Sequence, residues 1–180
     1  MGENMRKITV TPYNNGWSRQ FQIEALKLNE IFKSEILEIY HIGSTSVPGL
    51  SAKPIIDIMP VVHEITRMDK YNEKMISIGY TPKGENGIKG RRYFQKGGDN
   101  RTHHVHIYEK GCKEIERHLA FRDYLRVNPE DAKRYGDLKE KLAMMYPFDV
   151  DSYITGKNRL ALEIEKKALR WYENGGNLHD

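Results

Sequence analysis

His41-Ile-Gly-Ser-Thr-Ser-Val-Pro-Gly-Leu-Ser-Ala-Lys-Pro-Ile-Ile-Asp-Ile-Met59 joins the end of one β-type run to the start of another. The first run, Ile36–Ile42, stops at Gly43-Ser44, where a glycine lets backbone amides turn outward and the hydroxyls of Ser44 and Thr45 add donors. Free amides at such a turn form a nest for an anion. Lys53 brings a cation to the mouth of the second run, Pro54–Val62. That run holds one carboxylate, Asp57, between Ile55-Ile56 and Ile58-Met59. An ionised carboxylate inside an apolar strand needs a metal, a cation or several donors around it. Because side chains alternate along a strand, Ile55, Asp57 and Met59 share one face.

Upstream, Trp17, Phe21, Ala25, Leu28 and Ile31-Phe32 recur at helical spacing and predict an amphipathic helix over 16–33. Downstream, Ile65, Met68, Tyr71 and Met75 form the inward stripe of a second helix over 65–78, which Gly79 is placed to end. A polar loop over 80–90 precedes the short run Arg91–Gln95, a glycine turn over 96–100, and the alternating strand His103–Glu109. From Cys112 the pattern is helical: Ile115, Leu119 and Tyr124-Leu125 mark one helix, and Pro129-Glu130-Asp131 opens the next. Asp151 is the expected cap of a last helix running to Glu173. The order of elements predicts an α+β fold, a mixed β-sheet with helices packed on one face, followed by a C-terminal helical segment. The expected organisation is a core over 1–110 and a helical part over 111–180 packed on it as one compact unit.

The 180 residues suit a single domain that needs no covalent staple. One cysteine, Cys112, excludes an internal disulfide framework and fits a reducing compartment. No apolar run reaches the length of roughly 20 residues that a bilayer requires, and the N-terminus lacks the apolar stretch of a signal peptide. The expectation is a cytoplasmic protein without a membrane partner. A net charge of +4, from 29 basic and 25 acidic side chains, is too mild for a duplex-binding face, and no basic, aromatic-interleaved stretch speaks for single strands. The cations gather instead in short groups beside the strands, as at Lys89/Arg91/Arg92 and Arg122/Arg126, which suits a nucleotide or another anionic small molecule. Oligomeric state leaves no trace in the sequence.

His104 and His106 alternate in their strand and point to one side, away from Val105 and Ile107. With Asp57 they make a 2-His-1-carboxylate set for a metal; equally, they are candidates to donate to phosphate or to act as general acid and base. In the helical part, Arg122 and Arg126 lie one turn apart on the same face, where like charges repel unless an anion sits between them. Lys139 follows, and Tyr153 with Lys157 forms another pair one turn apart. A role for these residues requires the helices to fold back over the sheet.

The His41–Ile58 stretch, His104-Val105-His106, Phe121-Arg122-Asp123-Tyr124-Leu125-Arg126, Tyr135 with Leu138-Lys139, and Tyr153 with Lys157 resemble the GrpB family, in order, from about Val10 to Trp171. The same pattern resembles the C-terminal extension of some bacterial dephospho-coenzyme A kinases. The resemblance implies a nucleotidyltransferase-like fold and a predicted nucleotidyltransferase activity toward an unknown acceptor. Carried over residue by residue, Gly43 and Ser44 match the superfamily's phosphate-binding turn and Asp57 its first carboxylate. Met59 stands where the second carboxylate belongs, and His104 or His106 falls near the third. The implied cofactor is a divalent metal, Mg or Mn first and Zn or Fe next, held by Asp57, His104 and His106. Gly43, Ser44, Thr45, Lys53, Arg122, Lys139, Tyr153 and Lys157 would bind the anionic ligand. Met59 favours the alternative of a protein that binds a nucleotide or anionic metabolite without reacting it, and a metal-dependent enzyme of another class is the third reading.

Overall fold

The structure is a computed structural model and describes residues 6–176. Helix α1 (Gly16–Phe32) leads into strands β1 (Ile36–Ile42) and β2 (Ile56–Val62). A tight 3₁₀ segment (Ile65–Tyr71), helix α2 (Asn72–Ser77) and strands β3 (Tyr80–Pro82), β4 (Arg92–Lys96) and β5 (His103–Glu109) follow. Helices α3 (Lys113–Val127), α4 (Pro129–Met145) and α5 (Val150–Glu173) complete the chain. These elements form two compact units, with the chain crossing between them after Asn15, Ile42, Pro54 and Ile115.

The first unit (16–42 and 55–115) is built on a five-stranded sheet in the order β1-β2-β5-β4-β3. The β2–β5 pair is parallel and the other pairs are antiparallel, so the sheet is mixed, as expected. One row of register partners crosses it: Ile42, Asp57, His104, Gln95 and Thr81. Alternation gives His41, Ile58, His103, Lys96 and Tyr80 the opposite face, and α1 packs there. Phe21 stacks on His41 at 4.9 Å, and Glu24 accepts hydrogen bonds from Tyr80 and Lys96. The α1 stripe buries Trp17, Ala25, Leu28 and Phe32, while Leu26 on its outer side stays exposed. Each large apolar side chain so buried contributes about 1.5–3 kcal/mol. α1 therefore leaves the other face of the sheet to the row that carries Asp57.

Four local expectations change, the first at Tyr80–Pro82, expected within a loop over 80–90 but paired with β4 as an edge strand. Residues 65–78 form a 3₁₀ segment and a short helix rather than one continuous helix. The β-branched Ile65-Thr66 start disfavours α-helix, and the Ile65 N–H is tied to the Glu109 carboxylate at the end of β5. Gly79 does end α2, its N–H bonded to the Ile76 carbonyl. Ladder pairing of β2 begins at Ile56, not Pro54, because proline has no N–H to give; the Ile56 N–H bonds Thr102. The cap of α5 is Asp149, whose carboxylate accepts from the Ser152 N–H at 3.1 Å and its hydroxyl at 2.6 Å. Asp151 lies inside the first turn, where its charge complements the helix dipole.

The second unit (6–15, 43–54 and 116–176) is helical. Its core joins Val47 and Leu50 to Ala120, Tyr124 and Leu125 of α3, Ala132 and Tyr135 of α4, and Ile164 and Ala168 of α5. The 43–54 segment is thus held in place by its own apolar side chains rather than running free over the surface. A smaller cluster, Ile8 with Leu142 and Tyr153, fastens the N-terminal strand-like segment, which also bridges Thr11 to Ala52.

Candidate metal centre and anion-binding residues

In the sheet unit, the parallel register of β2 and β5 sets Asp57 beside His104, and alternation brings His106 to the same face. Asp57 Oδ1 lies 2.9 Å from His106 Nε2 and 3.4 Å from His104 Nδ1, and all three ligand atoms fall within 4.8 Å of one another. The three side chains are 26 %, 19 % and 12 % exposed for Asp57, His104 and His106, so solvent reaches the cluster. Burial pushes the Asp57 carboxyl up, but hydrogen bonds and charge attraction from His104 and His106 outweigh it and hold the group well below the usual carboxylate range.

Tyr93 of β4, register partner of His106, was not visible in the sequence as part of this cluster. Its ring centroid lies 5.1 Å from that of His106 and 5.6 Å from that of His104. The Arg91 guanidinium sits 4.6 Å from the Tyr93 ring, and Gln95, partner of His104, donates to the Tyr93 hydroxyl at 3.1 Å. The signal was the alternation Tyr93, Gln95, which becomes legible once the β4–β5 register is known. Met59 is fully buried and paired with Tyr40, so an ionised carboxylate at that position would be costly.

The donor set fits one divalent ion. Donors held about 2.1 Å from a shared ion at angles of about 90–109° lie about 3.0–3.4 Å apart, close to the two Asp57–histidine spacings, while the two histidine nitrogens lie within 4.8 Å of each other. A conventional pair of ions needs more carboxylates than Asp57 alone provides. Among the described residues His104 Nε2 is buried without a hydrogen-bond partner, so none of them gives this imidazole the outer acceptor that usually supports a ligating histidine.

In the helical unit, Gly43 takes φ 72°, ψ −173°, a conformation open essentially only to glycine, and starts a single 3₁₀ turn over Ser44–Ser46. The Ser46 N–H and hydroxyl both bond the Gly43 carbonyl, and the Val47 N–H bonds Ser44. Lys139, 3 % exposed, donates from Nζ to Ser44 Oγ at 2.8 Å and lies 4.6 Å from the Tyr135 ring centroid. Lys53 and Lys157 lie 4.6 and 5.8 Å from the ring centroid of buried Tyr153, whose hydroxyl is pushed up first by burial and then by Tyr135. Thr45 is buried. The anion that the Arg122–Arg126 spacing calls for is supplied by the chain: buried Asp123 accepts from Arg122 Nε at 2.8 Å and lies 4.0 Å from Arg126. Arg126 also donates to the Ser46 carbonyl at 3.0 Å, a tie between α3 and the glycine turn that sequence spacing did not reveal. Two sets of expected residues therefore assemble in this unit, Ser44 with Lys139, and Lys53 and Lys157 around Tyr153, while Arg122 is engaged by Asp123.

No helix among the described residues is long and apolar enough to cross a membrane. The family profile described as GrpB protein matches residues 7–167. The chain is 50 % identical over 172 residues to the UPF0157 protein YqkA of Bacillus subtilis (strain 168), covering 96 % of this chain and 50 % of that protein, so it spans half the length of this relative. A dephospho-CoA kinase of Mycolicibacterium paratuberculosis is 23 % identical over 195 residues, covering 94 % of this chain and 48 % of the kinase, in line with the second expected resemblance. The crystal structure of conserved protein GrpB from Enterococcus faecalis superposes with a TM-score of 0.89 at 49 % identity, covering 92 % of this chain and 99 % of that one. A distant structural neighbour is Cid1 in complex with its short product ApU, with a TM-score of 0.49 at 15 % identity over 71 % of this chain and 41 % of its own. On the family profile and these relatives, the chain belongs to the GrpB family.

Proposed function

We propose that the protein carries out metal-assisted nucleotidyl transfer. The observation that carries this reading is the convergence of Asp57, His104 and His106 on one face of the sheet, at spacings that suit a single divalent ion. The reading assigns the ion to these three residues of the sheet unit; within the helical unit, the Gly43-Ser44 turn, Lys139, Lys53 and Lys157 are the candidates for binding an anion. When bound, the ion would supply Lewis-acid polarisation of a phosphoryl oxygen. In the transfer itself an acceptor oxygen bonds to the α-phosphorus, the bond from that phosphorus to the β-phosphate oxygen breaks, diphosphate leaves, and the acceptor proton passes to water. The chain's own contribution is positioning and charge, the main source of catalysis in phosphoryl transfer. In this reading Lys139, which donates to Ser44 Oγ, would offset negative charge on a bound phosphate.

Diphosphate release from each nucleoside triphosphate, with Mg²⁺, Mn²⁺, Co²⁺ or Zn²⁺, tests the reading. Turnover in wild type that Asp57→Asn abolishes while the fold is retained is the expected result. Tight nucleotide binding with no product would overturn it in favour of a binding protein, the alternative that the buried Met59 supports.

A further inference from the structure

We infer that the ion held by Asp57, His104 and His106 is a nitrogen-accepting first-row transition ion of the Fe²⁺, Co²⁺ or Zn²⁺ kind, and that the site discriminates against Mg²⁺. This deepens the function proposed above and rests on its assignment of the three residues as metal ligands. Two of the three donors are imidazole nitrogens, His104 Nδ1 and His106 Nε2, and one is a carboxylate oxygen, Asp57 Oδ1. Mg²⁺ is a hard ion that keeps near-octahedral oxygen coordination and sheds water reluctantly, whereas imidazole suits iron, cobalt, nickel, copper and zinc.

The second carboxylate that would harden the site is absent: the next position on that face of β2 is Met59, whose thioether is fully buried. The donors stand on two hydrogen-bonded strands, and Tyr93 packs against both imidazoles, so the set is held together before any ion arrives. Such a preset two-nitrogen, one-oxygen arrangement cannot easily reorganise into the oxygen cage that Mg²⁺ demands. Affinity across the divalent series should therefore climb as nitrogen ligation dictates, from Mn²⁺ through Fe²⁺ and Co²⁺ to Ni²⁺ and Cu²⁺. The missing outer acceptor at His104 Nε2 places the site below a fully supported histidine centre, by about 10–100-fold in affinity.

The test is calorimetric titration of untagged, chelator-treated full-length protein with Mg²⁺, Mn²⁺, Co²⁺ and Zn²⁺, together with the visible ligand-field absorption of the Co²⁺ form. The expected result is one Co²⁺ or Zn²⁺ per chain, bound at least about 100-fold more tightly than Mg²⁺. His104→Gln and His106→Gln should each weaken Co²⁺ at least tenfold and change its absorption, with circular dichroism confirming the fold. Mg²⁺ binding as tight as Co²⁺, absence of any bound ion, or Co²⁺ binding and absorption untouched in the double variant would each overturn the inference. The two readings fail separately. Mg²⁺-driven nucleotide turnover without Co²⁺ affinity sinks this inference alone, and selective Co²⁺ binding without turnover sinks only the proposed reaction.

Discussion

Replacing Glu24 by Gln should remove the charge that fastens α1 to the sheet beneath the histidine strand. Glu24 is 3 % exposed; its Oε1 accepts from the Tyr80 hydroxyl at 2.8 Å and from Lys96 Nζ at 2.9 Å, and its Oε2 lies 3.9 Å from His103 Nε2. Gln keeps the shape and an acceptor for Tyr80, but leaves the Lys96 ammonium without its counter-charge. Breaking a fully buried pair costs about 3–5 kcal/mol, and a hydrogen bond to a charged group contributes about 1.5–3 kcal/mol. Lys96 is 22 % exposed, so water partly compensates it and the lower range applies, about 2–3 kcal/mol. For a chain of this size that corresponds to a melting temperature lower by about 4–12 °C.

The loss should also depend on pH. Burial pushes the Glu24 carboxyl up, but hydrogen bonds from Lys96 and Tyr80 and the charges of His103 and Lys96 together hold it below its ordinary value. A carboxyl depressed in the folded state stabilises fully above its unfolded pKa of about 4.3, and that contribution fades as pH falls through the lower folded value. Urea unfolding of wild type and Glu24→Gln at pH 7 and again below pH 4 should show the gap narrowing in acid. A gap under about 0.5 kcal/mol at pH 7, within the ordinary scatter of surface substitutions, or one that widens in acid, would refute the reasoning.

Other substitutions separate structure from function. Gly97→Ala should destabilise by about 2 kcal/mol or more, measured by urea unfolding, because Gly97 sits at φ 101° and an added Cβ would meet the Asn100 carbonyl oxygen in the β4–β5 turn. Arg122→Ala should cost about 2–3 kcal/mol by leaving Asp123 buried with only the more distant Arg126, yet change phosphate affinity less than Lys139→Ala does, as titration with inorganic triphosphate would show. Asp149→Ala should cost about 1 kcal/mol in unfolding free energy as the α5 cap is lost, whereas Asp151→Ala should cost less.

Much of this was legible because it is local. Strand runs betray themselves by apolar residues, and the period of two alone put His104 and His106 on one side and isolated Asp57 among isoleucines. What escaped the sequence depends on partners far along the chain. Tyr93 joins the histidines only through the β4–β5 register, which no local pattern specifies. Spacing alone does not pair Arg122 with Asp123, because adjacent helical residues usually face different ways; here the Arg122 guanidinium turns to its neighbour inside a buried layer. Asp149 rather than Asp151 caps α5 although both are good cap residues, because Ser152 gives its N–H and hydroxyl to Asp149. The 3₁₀ segment over 65–71 fooled the helical stripe because i and i+3 face the same way in both kinds of helix.

Thermal unfolding of wild type and Asp57→Ala, with each nucleoside triphosphate in the presence and absence of the divalent ion that binds most tightly, tests the central claim most directly. A triphosphate at 100 times its dissociation constant should stabilise wild type by about 2.7 kcal/mol only when the ion is present, and that increment should vanish in Asp57→Ala. A melting temperature indifferent to every triphosphate, or an ion-independent shift that survives in Asp57→Ala, would contradict a metal-assisted nucleotide site at Asp57, His104 and His106.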